Sequence, residues 1–402
     1  MTADTDRTDP GRTPVPSPFT GMSRRIDARI IRCLNDITGR ALFPYQAAIV
    51  RIGFSLTFLL YLLREFPNRH ELYGAASPWS FDLAQRLIAS NGAFSVLMWS
   101  DSGLWFELVY LAAIGASLGL LVGWHTRTMS LLFMVGVLAL LNRNVLLGDG
   151  GDTLIHLVAG YLVLTRCGQV WSLDARRGRR GPEEGATTRI VLWTLLGTFL
   201  ALAHLTGFAE LSWGWALFLW GMWLIQALWY WVERTDHTEL RTVMDATANV
   251  VHNAALLVIA AQVCILYATA GLYKIQGPRW QDGTAVHYPL HLAYFSPWGP
   301  LSRTVDRSAV LVTAITYGTV ILQVAFPFTL LNRRVKNVLL PILMAEHASI
   351  AVLCGLPFFS MAMVFADAVF LPTSFLRWLG YQVSGTAHRL AERVRGRRTA
   401  EA

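Results

Sequence analysis

Of the 34 basic residues in the chain only Lys274 and Lys336 are lysine, and every other one is arginine. The difference is chemical, because a guanidinium stays protonated in proteins whereas an amine withdrawn from water can release its proton. Lys274 closes the apolar stretch Val263 to Ile275 and precedes a polar, aromatic run, Gln276-Gly-Pro-Arg-Trp280-Gln-Asp-Gly283. A proton-abstracting base at the mouth of a membrane helix is the chemistry this pattern offers. The competing reading is a lysine that snorkels to the interface. Trp280 and Tyr273 beside it suit either stacking on a flat ring or anchoring of the helix end.

Other residues could complete such a site. His156 and Asp152 are four apart, share a helical face and would be costly toward lipid, so a polar cavity is expected near them. His347, preceded by Glu346, falls inside an apolar stretch. Arg51 lies a few residues into the first apolar stretch and is expected either to meet a cavity or partner, or to snorkel. His287 and His291 are also four apart, but Pro289 between them is expected to spoil a helical metal pair. No metal is therefore assigned, and His287 reads either as a hydrogen-bonding group for substrate or as an ordinary polar loop histidine. The four cysteines are scattered without metal-ligand or disulfide spacing. Asp149-Gly-Gly-Asp152 lacks the remaining ligands of a calcium loop, and no Gly-rich phosphate loop or serine nucleophile elbow occurs in the sequence.

The elements that must position these residues are membrane helices. The 402 residues are 54% hydrophobic and only 15% charged, with mean hydropathy +0.41, whereas soluble domains carry about a quarter charged residues. Stretches able to cross about 30 Å of hydrocarbon fall near 44–63, 103–123, 128–147, 152–167, 189–208, 211–232, 249–275, 308–331, 337–355 and 358–376. The expected fold is therefore all-α and polytopic, with about ten transmembrane helices. Residues 77–100, of mixed polarity, read as an interfacial or re-entrant segment. The net charge of +8 does not suggest nucleic acid, because the arginines gather in separate loops instead of one stripe. Arg7, Arg12, Arg176, Arg177, Arg180, Arg333, Arg334 and the basic C-terminal run fall on one side, which places both termini in the cytoplasm. Lys274 then lies at the outer end of its span. The domain plan is a largely disordered basic N-terminal tail (1–43), a transmembrane domain (44–376) with an extra helical hairpin at 178–246, and a basic cytoplasmic C-terminal tail (377–402).

The run Ala270-Gly-Leu-Tyr-Lys274-Ile-Gln-Gly-Pro-Arg-Trp280-Gln-Asp-Gly283, continuing to Phe295-Ser-Pro-Trp298, resembles the lysine-bearing signature of the vitamin K-dependent gamma-carboxylase-like family, also called the HTTM domain. Arg51-Ile-Gly53, Gly150-Gly-Asp152-Thr-Leu154 with Trp171-Ser-Leu-Asp174, and His347 with Leu356-Pro-Phe-Phe359-Ser360 resemble further family segments, in order over roughly residues 44–370. The hairpin at 178–246 is longer than the family's usual connection. The chain also ends soon after its last span, without room for the large lumenal domain by which animal carboxylases hold protein substrates.

The resemblance implies an enzyme of a bacterial cytoplasmic membrane with its active site toward the outer face. Lys274 would act as base on a reduced quinone, either vitamin K hydroquinone or menaquinol. Oxygen would be consumed in quinol epoxidation, and carbon dioxide would be used if a peptide or small-molecule acceptor is carboxylated. Membrane lipid and a lipid-soluble quinone are the expected partners. The alternative is a non-enzymatic membrane protein acting in peptide-toxin maturation or export, or in lipid binding.

Overall fold

A computed structural model describes residues 18–179, 185–235 and 237–400, with side chains described between residues 29 and 386 of these. Residues 1–17, which include Arg7 and Arg12, and 180–184, which include Arg180, lie outside the described residues. Every regular element among the described residues is helical. In chain order they begin with α1 (Pro18–Gly39), α2 (Pro44–Glu65), the short α3 (Arg69–Leu72), α4 (Phe81–Asn91), α5 (Gly103–Val122), α6 (Thr126–Arg143), α7 (Gly150–Leu164) and α8 (Leu173–Gly178). The hairpin α9 (Ala186–Leu205) and α10 (Trp213–Arg234) follows, then the 39-residue α11 (Thr238–Gln276). Three short helices, α12 (Pro278–Gln281), α13 (His287–His291) and α14 (Gly299–Asp306), lead to α15 (Ala309–Thr329), α16 (Arg333–Leu353), α17 (Pro357–Asp367) and α18 (Thr373–Ala400).

Among the described residues seven helices are long and apolar enough to cross a membrane, or eight if one bent pair is counted as a span. Three of the ten expected stretches are not among these seven, for separate reasons. The stretch at 128–147 is α6, which carries Arg127 and Arg143 near its ends. The stretch at 152–167 is α7, whose 15 residues rise only about 22 Å. The stretch at 358–376 is not one helix, because the chain turns through 118° between α17 and α18. There Leu371 is extended (φ −63°, ψ 140°), as a residue before proline prefers, and Pro372 has no N–H with which to continue the helix.

Helix α2 is the central post. Ala47, Val50, Phe54, Phe58 and Leu62 recur at three- and four-residue steps and are fully buried, which gives the helix one continuous apolar stripe. Gly53 lets α17 close on the same helix, since a Cβ there would lie 2.1 Å from the Phe365 ring. The α9–α10 hairpin stands at the periphery and is joined by stacked Trp193 and Trp223 rings 4.3 Å apart. Each indole N–H donates to the other residue's carbonyl at 3.0 Å.

The N-terminal region departs from the expected disordered tail, since α1 begins at Pro18 and its C-terminal turn is latched to α11. Asn249 and Asn253 donate to the Thr38 and Ile37 carbonyls at 2.9 and 3.0 Å, and the Leu42 N–H donates to Asn253 Oδ1 at 2.7 Å. Buried His252 pairs with the Leu42 carbonyl through Nε2 and accepts the Arg166 N–H through Nδ1. Uncapped backbone groups at the end of α1 thus find partners on a helix more than 200 residues away. Beyond the transmembrane region, residues 377–400 of the expected C-terminal tail continue α18.

Candidate active site

Lys274 sits in the last turn of α11. Its Nζ donates to Gln323 Oε1 of α15 at 2.8 Å, and Gln323 Nε2 donates to Glu346 Oε1 of α16 at 3.0 Å. The amine therefore faces the neighbouring helices. Its apolar neighbours in sequence, Leu272, Tyr273 and Ile275, lie on other faces of the helix and are 55%, 80% and 45% exposed. Residues one or two apart on a helix do not share a face, so Tyr273 takes no part in the site. Trp280 does, because α12 folds back and brings its ring to 5.2 Å from the amine, within cation–π range. That fold-back is pinned by Gln281, whose Nε2 donates to the Ile275 carbonyl at 2.9 Å, and by Tyr317, whose hydroxyl donates to the Gln281 carbonyl at 2.8 Å. Just beyond, the Thr284 hydroxyl bonds the Asp282 carboxylate and holds it below the usual carboxylate range, with Arg279 nearby adding to the effect.

Two turns before Lys274 on α11, Tyr267 opens a second polar chain. Its hydroxyl donates to Asp367 Oδ2 of α17 at 2.9 Å and lies 3.0 Å from His347 Nε2 of α16. A hydroxyl has one proton, so where Tyr267 donates to an ionised Asp367 the His347 Nε2 carries the hydrogen it shares with Tyr267. His347 Nδ1 is then a free acceptor. Tyr267, Asp367 and His347 are almost wholly buried, and Glu346 adjoins His347 in sequence, so the two chains meet on α16. Of the seven buried side-chain polar atoms without a hydrogen-bond partner among the described residues, four belong to α16 and α17: Glu346 Oε2, His347 Nδ1, Ser360 Oγ and Asp367 Oδ1. Buried polar atoms are seldom left so without a ligand or water to satisfy them.

The remaining expected site residues are placed elsewhere. Arg51 does not snorkel but meets partners, as the first alternative expected: it is fully buried and donates to the carbonyls of Leu120, Leu121, Cys167 and Trp171. It clasps the C-terminal end of α5 to the turn after α7. Asp152 forms a capping box with Asp149, accepting the Asp149 N–H at 2.9 Å while its own N–H donates to Asp149 Oδ1 at 3.1 Å. Gly151 before it serves packing, since a Cβ there would lie 2.7 Å from the Phe359 Cα. His156, half-buried on α7, makes no hydrogen bond to the Lys274 group among the described residues. Phe359, which touches Gly151, also packs its ring 5.7 Å from that of His347.

His287 is on the segment joining α11 to α15, outside the buried cluster. The expectation that Pro289 prevents a helical pair is corrected, because α13 includes Pro289 and sets the His287 and His291 rings 4.2 Å apart. In a five-residue helix the N–H that proline lacks would have no intrahelical partner in any case.

Sequence reasoning missed Tyr267, Gln323 and Asp367. A signal for Asp367 was present, since an acid inside an apolar stretch is costly and usually functional or paired. Tyr267 lies seven residues before Lys274, and a seven-residue step returns to nearly the same helix face. Nothing local marks Gln323. No protein-family model, curated protein or solved structure matches the chain.

Proposed function

We propose that this chain is an integral membrane enzyme in which Lys274 is the base toward a reduced quinone, driving quinol epoxidation and, where an acceptor is present, its carboxylation. The supporting observation is that the amine is turned between helices and joined through Gln323 to Glu346, next to buried acceptors with no partner. An arginine could give charge at this place but not proton abstraction. The bound quinol would supply two hydroxyl protons and two electrons, so that with dioxygen the products are the quinone epoxide and water. In this reading the quinol hydroxyls would donate to His347 Nδ1 and Asp367 Oδ1, which have no partner among the described residues, and the Trp280 ring beside the amine would offer an apolar face. Gln323 orients the amine, and the Glu346 carboxylate on the far side of Gln323 would offset the positive charge that Lys274 gains on taking the proton. Withdrawal from water by the surrounding helices strengthens each of these interactions.

The membrane arrangement belongs to the same reading. The span set would be completed by α6, α7 and the bent α17–α18 pair, with both termini cytoplasmic and Lys274 toward the outer face of a bacterial membrane. The experiment is to supply purified protein with menaquinol and oxygen and measure the quinone epoxide. Lys274→Ala and Lys274→Arg should each lower turnover by about 10²–10⁴-fold, the usual contribution of a general base. Undiminished turnover in Lys274→Arg would overturn the assignment.

A second reading, a non-enzymatic protein for peptide export or lipid binding, is favoured by one feature. The apolar windows of α9 and α10 are only 22% and 11% buried, which leaves a broad face for lipid or a partner helix. That reading expects Lys274→Ala to be tolerated and changes across Trp213 to Trp231 to be damaging.

A further inference from the structure

The segment between α11 and α15 carries a second constellation that the quinone chemistry does not use. His287 and His291 project from α13, and Asp306 is the last residue of α14. His287 Nδ1 lies 2.5 Å from Asp306 Oδ1, and His291 Nε2 lies 3.4 Å from Asp306 Oδ2. One ligand atom from each of the three residues falls within 4.8 Å of the others. We infer that His287, His291 and Asp306 form a binding site for a divalent transition metal of the zinc class.

Three observations carry this inference. First, the imidazole of His291 is oriented: its Nδ1 lies 2.9 Å from the His287 carbonyl, which can only accept, so Nδ1 holds a hydrogen and the neutral ring presents its lone pair on Nε2. A backbone carbonyl on the remote nitrogen is the usual second partner of a metal-bound histidine. Second, that lone pair faces a carboxylate oxygen. Two acceptors oppose each other unless a cation lies between them. Third, the donor set is two imidazoles and one carboxylate, which suits zinc and neighbouring d-block ions and not calcium or magnesium, which favour oxygen donors.

The histidine side chains are 47% and 55% exposed and the aspartate 19%. Three protein ligands on an open surface leave at least one coordination position to water or an incoming group, as in catalytic and not structural zinc sites. The ion would also tie α13 to α14 and so brace the crossing that follows Lys274 and Trp280. The site stands independently of the quinone reading.

The test uses full-length, untagged protein in detergent, stripped with chelator and dialysed. Zn2+ should bind at one ion per chain by calorimetry and elemental analysis, and Co2+ should give visible ligand-field absorption that Zn2+ abolishes. Asp306→Asn preserves shape and His291→Gln preserves polarity; each should weaken Zn2+ binding by at least ~100-fold, above the loss typical for outer-shell changes, with unchanged helical circular dichroism and elution. Failure of the wild type to take up Zn2+ would show a protonated imidazole–carboxylate pair and overturn the inference. Equal uptake by the variants, the mark of adventitious surface binding, would overturn it as well.

Discussion

Gln323 carries the sharpest consequence of the Lys274 geometry. Gln323→Leu keeps a similar volume but removes both the 2.8 Å bond from the amine and the 3.0 Å bond to Glu346. Hydrogen bonds to charged groups contribute about 1.5–3 kcal/mol each. Lys274 and Glu346 are only partly buried, so solvent screening lowers that figure and a loss of about 2–4 kcal/mol is expected for the two together. Lys274→Met alone should cost about 1–2 kcal/mol, chiefly by leaving the Gln323 oxygen unpaired. Once Gln323 is leucine, the same methionine packs against an apolar neighbour and costs far less. A double-mutant cycle should therefore show a coupling of about 1–2 kcal/mol, measured by reversible unfolding in detergent with helical circular dichroism as the probe. Sites without contact add to within about 0.3–0.5 kcal/mol. A coupling inside that range would mean the amine is not held between the helices, and the proposed enzymology would lose its footing whatever the turnover measurements give.

Two further outcomes concern parts of the fold remote from Lys274. Arg51→Met leaves the Leu120, Leu121, Cys167 and Trp171 carbonyls without their donor in a fully buried place and should cost about 3–5 kcal/mol, at about 1–3 kcal/mol per orphaned group with incomplete additivity. Arg51→Lys should recover less than half of this in thermal unfolding, because one ammonium cannot span carbonyls on two elements. His125, at the start of α6, is buried against Trp124, and burial lowers its pKa below the ordinary histidine value. The unfolded chain then binds the proton more tightly, so stability is full above about pH 6.5, the unfolded value, and falls as pH drops toward the lower folded value. His125→Asn, which tolerates the left-handed backbone there (φ 44°), should flatten the acid limb of a plot of Tm against pH, and an unchanged limb would refute the assignment.

The amino-acid sequence by itself determined the helical class, the apolar stretches and the special standing of Lys274 and His347, because hydropathy and residue type are local properties of the chain. Only the tertiary structure decided which polar groups meet. Gln323 is 49 residues from Lys274, while His347 and Asp367 are 80 and 100 residues from Tyr267; these pairings depend on how α11, α15, α16 and α17 cross, which no periodicity encodes. The same holds for Arg51, whose carbonyl partners are backbone atoms that carry no residue-type signal. His287 and His291 were visible as a pair, but Asp306 joins them only because α14 returns beside α13. A buried polar side chain is satisfied by whatever neighbour the packing supplies, so residue type showed where chemistry is possible and the helix crossings selected the partners.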